Sequence, residues 1–278
     1  MLTKKTIGFL GAGNLAEALI KGLIASNSVK PGQIVASDRV STRLAHLAQA
    51  YEIKVYNKNY EVIRNADIIF LTVKPQDARE VLLEIAPDIN EGKLLISAAA
   101  GLNTTTILDT LKNGGLDKFL PVVRAMPNTP AIVQEGAVGI CAGIGAGKAE
   151  IKLARAVFEA VGKVVVLDDE ALLDAVTGLS GSGPAYAFLF MEALVEAGVE
   201  LGIQEENAKL LAIQTTLGAA KLALESGKDL SELRRMVTSP GGTTMKGVEK
   251  LEEAGFKEAV KKAVKAATKR AKELSNPK

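Results

Sequence analysis

The chain has 278 residues, 47 % apolar and 24 % charged, with a net charge of +2. That length suits two domains with a sizeable core, and the near-neutral balance offers no basic excess for nucleic acid and no acidic tail. A single cysteine, Cys141, and a single histidine, His46, exclude an intramolecular disulfide and leave too few ligands for zinc, so no metal is expected. The N-terminus enters an apolar strand directly, without the long apolar run and small-residue cleavage site of a leader. The longest apolar stretch, near 184–199, is interrupted by Glu192 and Glu196 before the ~20 apolar residues a membrane span needs. A cytosolic protein with no membrane partner is expected.

In chain order, short apolar runs at 7–10, 34–36, 68–73, 94–96 and 164–167 read as strands, with weaker candidates at 119–123 and 137–141. Between them lie segments with helical spacing, such as Leu15, Leu19 and Leu23, then Leu44, Leu47 and Ala48. Continuous apolar strands separated by helices predict a parallel sheet covered on both faces. From about residue 169 no convincing strand appears. Helical patterns fill 179–201, 205–225, 230–236, 243–253 and 257–274, and Gly202, Gly227 and Gly255 fall near their ends. The expected fold is α/β followed by all-α, with a dinucleotide-binding domain over 1–168 and a helical domain over 169–278. The Lys/Ala-rich stretch 261–272 reads as a solvated helix face rather than a nucleic-acid tail.

The first strand leads into Gly11-Ala12-Gly13-Asn14-Leu15-Ala16, a G-x-G-x-x-A between a strand and an amphipathic helix. Gly11 permits a tight turn, Gly13 lets backbone approach a pyrophosphate, and Ala16 lets the helix pack closely on the strand. The helix N-terminus adds N–H donors and partial positive charge for the phosphates. This is a Rossmann-type signature for a dinucleotide; a purely structural glycine turn is the alternative.

The second strand ends at Ser37-Asp38-Arg39. Asp38 lies later than the ~20 residues usual for an acid that bonds a ribose 2′-OH. Arg39 offers a fork of donors suited to a phosphate. NADPH is the expected cofactor, with NADH left open by Asp38; the alternative is an ordinary turn that begins the next helix. Two further loops, Thr72-Val73-Lys74-Pro75-Gln76 and Ser97-Ala98-Ala99-Ala100-Gly101, follow strands at the carboxyl edge of the sheet, where such folds bind ligands. Lys74, a candidate catalytic residue along with Thr244, either reaches the cofactor or substrate or is a solvated strand end, and Pro75 suits a first helical turn.

The most unusual stretch is 237–248, where Ser239-Pro240-Gly241-Gly242-Thr243-Thr244 joins two predicted helices. Thr243 and Thr244 begin the second helix, where free N–H groups and hydroxyls can hold a small carboxylate. A plain capped connection is the competing reading.

Taken together, the segments Ile7–Ala18, Val73-Lys74-Pro75-Gln76, Arg124-Ala125-Met126-Pro127-Asn128-Thr129-Pro130, Gly178-Leu179-Ser180-Gly181-Ser182-Gly183-Pro184-Ala185-Tyr186 and 237–251 resemble pyrroline-5-carboxylate reductase over nearly the full length. That resemblance implies hydride transfer from NAD(P)H to the imine carbon of 1-pyrroline-5-carboxylate, giving L-proline. It also implies C-terminal helices that intertwine into a homodimer, with dimers assembling into a decamer. Carried over residue by residue, Leu10, Gly11, Ala12, Gly13, Asn14, Leu15, Ser37, Asn59, Thr72, Val73, Lys74, Pro75, Ala98, Ala99 and Ala100 match cofactor contacts. Val237, Thr243 and Thr244 match substrate contacts, with the substrate lying between the cofactor and the hydroxyl-rich loop. Where the family's cofactor segments often open on Ala or Cys, this chain has Thr72 and Ala98.

A threonine hydroxyl is a poor acid, so Thr244 is expected to orient the imine nitrogen first and relay a proton second. His46, on a predicted helix, is expected to be structural or solvated, Cys141 to be a buried small residue, Met126 and Pro127 to pack beneath the nicotinamide, and 180–184 to cap the long helix. A β-hydroxyacid dehydrogenase would place Lys and Asn on the long helix, and 184–202 has neither. A non-catalytic NADP sensor would have no need of the 239–244 loop.

Overall fold

The computed structural model describes residues 2–275. Its strands are β1 (Ile7–Leu10), β2 (Ile34–Ser37), β3 (Lys54–Tyr56), β4 (Ile68–Leu71), β5 (Leu94–Ser97), β6 (Val122–Met126), β7 (Gly136–Ala142) and β8 (Gly162–Leu167). They form one sheet in the order β3-β2-β1-β4-β5-β6-β7-β8. The first six strands run parallel in the Rossmann order. Their helices are α1 (Asn14–Ala25), α2 (Ser41–Tyr51), α3 (Asn59–Asn65), α4 (Pro75–Ile85), α5 (Thr104–Asn113) and α6 (Lys148–Phe158).

The central strands β1, β2, β4 and β5 are buried at every position, which is why they read as unbroken apolar runs. One apolar layer gathers Phe9, Phe70 and Phe158 with Leu19 and Leu23; the other gathers Ile69, Leu71, Leu82 and Ile107. Phe9 and Phe70 stack at 5.2 Å, and Phe158 meets Phe70 edge-on at 5.6 Å.

Three details of the sheet differ from the sequence expectation. The uniformly parallel sheet is corrected at β7, which runs antiparallel to β6. The connection 127–135 is too short to hold a crossover helix, so the chain can only return alongside. β6 also starts at Val122 rather than at 119, because Pro121 lacks an N–H and Phe119 is left exposed. The short edge strand β3, with its partly exposed Lys54-Val55-Tyr56, has too little apolar pattern to read in advance.

By packing, the chain divides into two compact units, residues 1–182 with 265–278, and residues 183–264. Within the first, α7 (Leu172–Val176) runs into a π-helical turn at Thr177–Gly181. The wide turn brings Gly181 so close to Met126 that a Cβ would sit 2.7 Å from its Cε. The expected helix over 179–201 is therefore split, and its long part is α8 (Gly183–Glu200), with Pro184 in the first turn.

The second unit contains α8, α9 (Glu205–Ser226), α10 (Leu230–Met236), α11 (Thr243–Glu253) and the start of α12 (Phe256–Ser275). No strand occurs in it. Gly202, Gly227 and Gly255 close these helices with φ of +89°, +64° and +72°. α8 buries no residue, and Phe188, Leu189, Leu210 and Leu211 are all more than half exposed. Apolar surface of that extent marks an association face.

A buried polar cluster ties the first unit together. Arg124 on β6 is 5 % exposed and donates to Glu170 at 3.2 Å, with Asp174 at 3.8 Å. Glu170 also accepts from Thr104 N–H and Oγ at 2.8 and 2.6 Å, and Asp174 accepts from Ser275 Oγ at 3.1 Å. Removing the cation leaves two shielded carboxylates uncompensated. Arg124→Leu is expected to lower stability by about 3–5 kcal/mol in urea unfolding; a loss below ~1 kcal/mol, the size of an exposed pair, would contradict this reading.

Candidate cofactor and substrate sites

The carboxyl ends of β2, β1, β4 and β5 form one row, with Leu10 in register with Ser37 and Leu71, and Leu71 with Ser97. The sequence-predicted cofactor residues lie on or just beyond this row, except Asn59, which opens α3 after β3. Gly11 turns the chain with φ +94°, and a Cβ there would sit 2.9 Å from Val73 N and Cγ1. Its N–H donates to Ser37 O at 2.9 Å. Thr72 Oγ donates toward Leu10 O and Gly11 O at 3.0 and 2.8 Å, pinning the turn from the neighbouring strand.

Gly13 differs from Gly11. Its φ of −72° is open to any residue, and a Cβ there meets no protein atom within 4 Å. Nothing in the protein itself requires glycine at the N-cap of α1. The open cradle in front of the helix N–H groups fits a pyrophosphate.

A cleft of about 690 Å³ opens here, bordered by Gly11, Gly13, Arg39, Asn59, Thr72, Val73 and Lys74. Ser37 lies buried beneath it and donates from Oγ to Asn59 Oδ1 at 2.7 Å. Asn59 in turn donates to Glu84 at 2.8 Å. Asn14, Leu15 and Ala98 border a second, smaller cleft of about 320 Å³ with Met126, Pro127 and Asn128. Asn128 is held by Ser180 O at 3.0 Å and by Ala137 N–H at 2.9 Å. Pro75 and Ala100 line a third cleft of about 740 Å³. Leu10, Ala12 and Ala99 are buried, so they can offer a ligand only backbone.

The first cleft also holds Arg43, Asn57, Lys58 and Asp77, none of which the motifs single out. Arg43 donates from Nε to Ala12 O at 2.6 Å and pairs with Glu17. His46 and Tyr51 meet Glu17 at 2.8 and 3.0 Å. Burial pushes the Glu17 carboxyl up, but hydrogen bonds from His46, Tyr51 and Arg43 outweigh it and hold the group below its ordinary range. His46 thus braces α1 against α2. Burial and nearby carboxylates push the Cys141 thiol up, in keeping with an inert packed residue.

In the second unit, α10 ends at Met236 and leaves Val237 62 % exposed. Gly241 turns with φ +71° and Gly242 caps α11. Thr243 and Thr244 open that helix and are exposed. Its first-turn N–H groups have no intrahelical acceptor, so backbone donors and hydroxyls face outward together.

A family model described as pyrroline-5-carboxylate reductase dimerisation matches residues 170–274, and one described as NADP oxidoreductase, coenzyme F420-dependent, matches residues 6–101. The pyrroline-5-carboxylate reductase of Methanosarcina acetivorans is 44 % identical over 273 residues, covering 98 % of this chain and 99 % of that one. The chain belongs to the pyrroline-5-carboxylate reductase family. A pyrroline-5-carboxylate reductase from Pseudomonas aeruginosa is 43 % identical over 97 % of this chain and 96 % of its own. The solved pyrroline-5-carboxylate reductase of Coxiella burnetii superposes with a TM-score of 0.92 at 40 % identity, covering 99 % of this chain and all 100 % of that one. The Plasmodium falciparum pyrroline carboxylate reductase, solved with NADP bound, gives 0.84 at 32 % identity over 98 % and 99 % of the two chains. Within this family the dimerisation match covers α8 and α9, whose apolar faces lie exposed here.

Proposed function

We propose that this protein reduces 1-pyrroline-5-carboxylate to L-proline with NADPH, the last step of proline biosynthesis, and accepts NADH as a poorer donor. The carrying observation is Gly13, a glycine that neither φ nor packing demands, at a helix N-terminus beyond β1. Family membership over the full length supports the choice of substrate.

The bound cofactor supplies a hydride from its nicotinamide C4. The remaining tasks fall to the chain. Gly11 and Gly13 let backbone of residues 10–15 approach the pyrophosphate. Ser37, Arg39 and Asn59 take the adenosine ribose end. Residues 72–75 and 98–100 support the nicotinamide half, with Lys74 bordering the cofactor cleft. Val237, Thr243 and Thr244 take the substrate: the helix N–H groups hold its carboxylate, and the Thr244 hydroxyl orients the ring nitrogen. The cyclic imine binds as its iminium, and the hydride goes to the imine carbon, leaving a neutral amine nitrogen that takes up a solvent proton. No general acid with a pKa near neutrality is required, and His46 is engaged with Glu17. Alignment lowers the barrier.

Residues 169–278 act as the substrate-binding and dimerisation domain. The protein works as a homodimer in the cytoplasm, and dimers assemble into a decamer; the exposed apolar faces of α8 and α9 support the association. No helix among the described residues is long and apolar enough to cross a membrane. Following NADPH oxidation at 340 nm with 1-pyrroline-5-carboxylate, and identifying proline by chromatography, tests the reading. No oxidation while NADPH still binds would sink the substrate assignment.

A further inference from the structure

The charged groups at the adenosine end of the cleft are not equally free. Asp38, the acid placed to read an unphosphorylated ribose, accepts from Ala12 N–H through Oδ2 at 2.7 Å and from Val40 N–H through Oδ1 at 2.9 Å. Both oxygens brace backbone. Arg43 is held by Ala12 O and Glu17. Arg39 pairs with Glu80 at 2.6 Å, but both side chains are about two-thirds exposed, and such a pair gives way cheaply. Lys58 borders the same cleft from the N-cap of α3, is exposed, and has no hydrogen bond or ion pair to its ammonium among the described residues.

Asp77 and Glu84 also border this cleft and repel a dianion. A phosphate can settle there only against a cation that is not already neutralised. We propose that Lys58, together with Arg39, grips the 2′-phosphate of the adenosine ribose and sets the preference for NADPH over NADH. The inference rests on the reductase reading only in taking a dinucleotide as the ligand of this cleft.

The test uses the full-length protein and two probes that differ in one phosphate, 2′,5′-ADP and 5′-AMP, titrated by calorimetry. Lys58→Ala is expected to weaken 2′,5′-ADP about tenfold at low salt and 5′-AMP less than about twofold, with Lys58→Arg restoring most of the difference. The ratio of kcat/KM for NADPH over NADH falls in step. Equal losses for both nucleotides, or no loss for either, would overturn the proposal, as would a parent protein that binds neither. Failure to turn over 1-pyrroline-5-carboxylate would instead strike the substrate reading and leave the nucleotide ratio standing.

Discussion

Gly13→Val folds almost as stably as the parent and loses NADPH affinity roughly 10- to 100-fold, because pushing the pyrophosphate off the helix N–H groups forfeits a hydrogen bond to a charged group worth about 1.5–3 kcal/mol. The position accepts a side chain: φ is −72° and a new Cβ has no protein neighbour within 4 Å. The cost to the fold is that of a poor N-cap residue, about 1 kcal/mol. The added methyl groups occupy the space in front of the α1 N–H groups, where the pyrophosphate belongs. Gly11→Val is the counterpart. At φ +94°, with Val73 N 2.9 Å from the new Cβ, it damages the fold itself. Thermal unfolding and NADPH fluorescence titration on both variants separate the two roles. Unchanged NADPH binding by Gly13→Val would remove the main support for the cofactor site.

Thr244→Val removes a hydroxyl while keeping the shape of the side chain. A hydrogen bond to a charged group is worth about 1.5–3 kcal/mol, so kcat/KM for 1-pyrroline-5-carboxylate is expected to fall roughly 10- to 100-fold. Thr244 is exposed at the start of α11, so the fold and the affinity for NADPH stay as in the parent. Thr244→Ser keeps the hydroxyl and most of the activity. Positioning predicts that loss of rate in Thr244→Val comes without a new pH dependence, since no acid has been removed. Equal activity of the Val and Ser variants would dismiss the hydroxyl.

Local signals were legible in the amino-acid sequence and distant ones were not. The dinucleotide turn is readable because Gly11, Gly13 and Ala16 lie together in one short stretch between a strand and a helix, and the ends of α8, α9 and α11 because Gly202, Gly227 and Gly255 sit at left-handed positions. The bound of α11, Thr243–Glu253, agrees with the helical pattern for the same reason. The direction of β7 depends on which strand it pairs with, and only the shortness of the 127–135 connection hints at it. Arg124 falls in the 124–130 segment that carries the family resemblance, yet its partner Glu170 is 46 positions away and invisible to any periodicity. No motif singles out Arg43 or Lys58; only the folded cleft shows that both border it and that Arg43 is engaged. The split of the cofactor residues among three clefts likewise follows from tertiary packing.

Hydride delivery from a nicotinamide cofactor to a cyclic imine carrying a carboxylate leaves an isotopic record in the product. Its most direct test is isotope transfer: 1-pyrroline-5-carboxylate is incubated with the full-length protein and NADPH deuterated at C4, in separate 4R and 4S preparations, and the proline is examined by mass spectrometry and NMR. The account predicts one deuterium at C5 of L-proline from one of the two preparations and none from the other. Proline without deuterium from either, or no proline beside a functioning NADPH site, would contradict it.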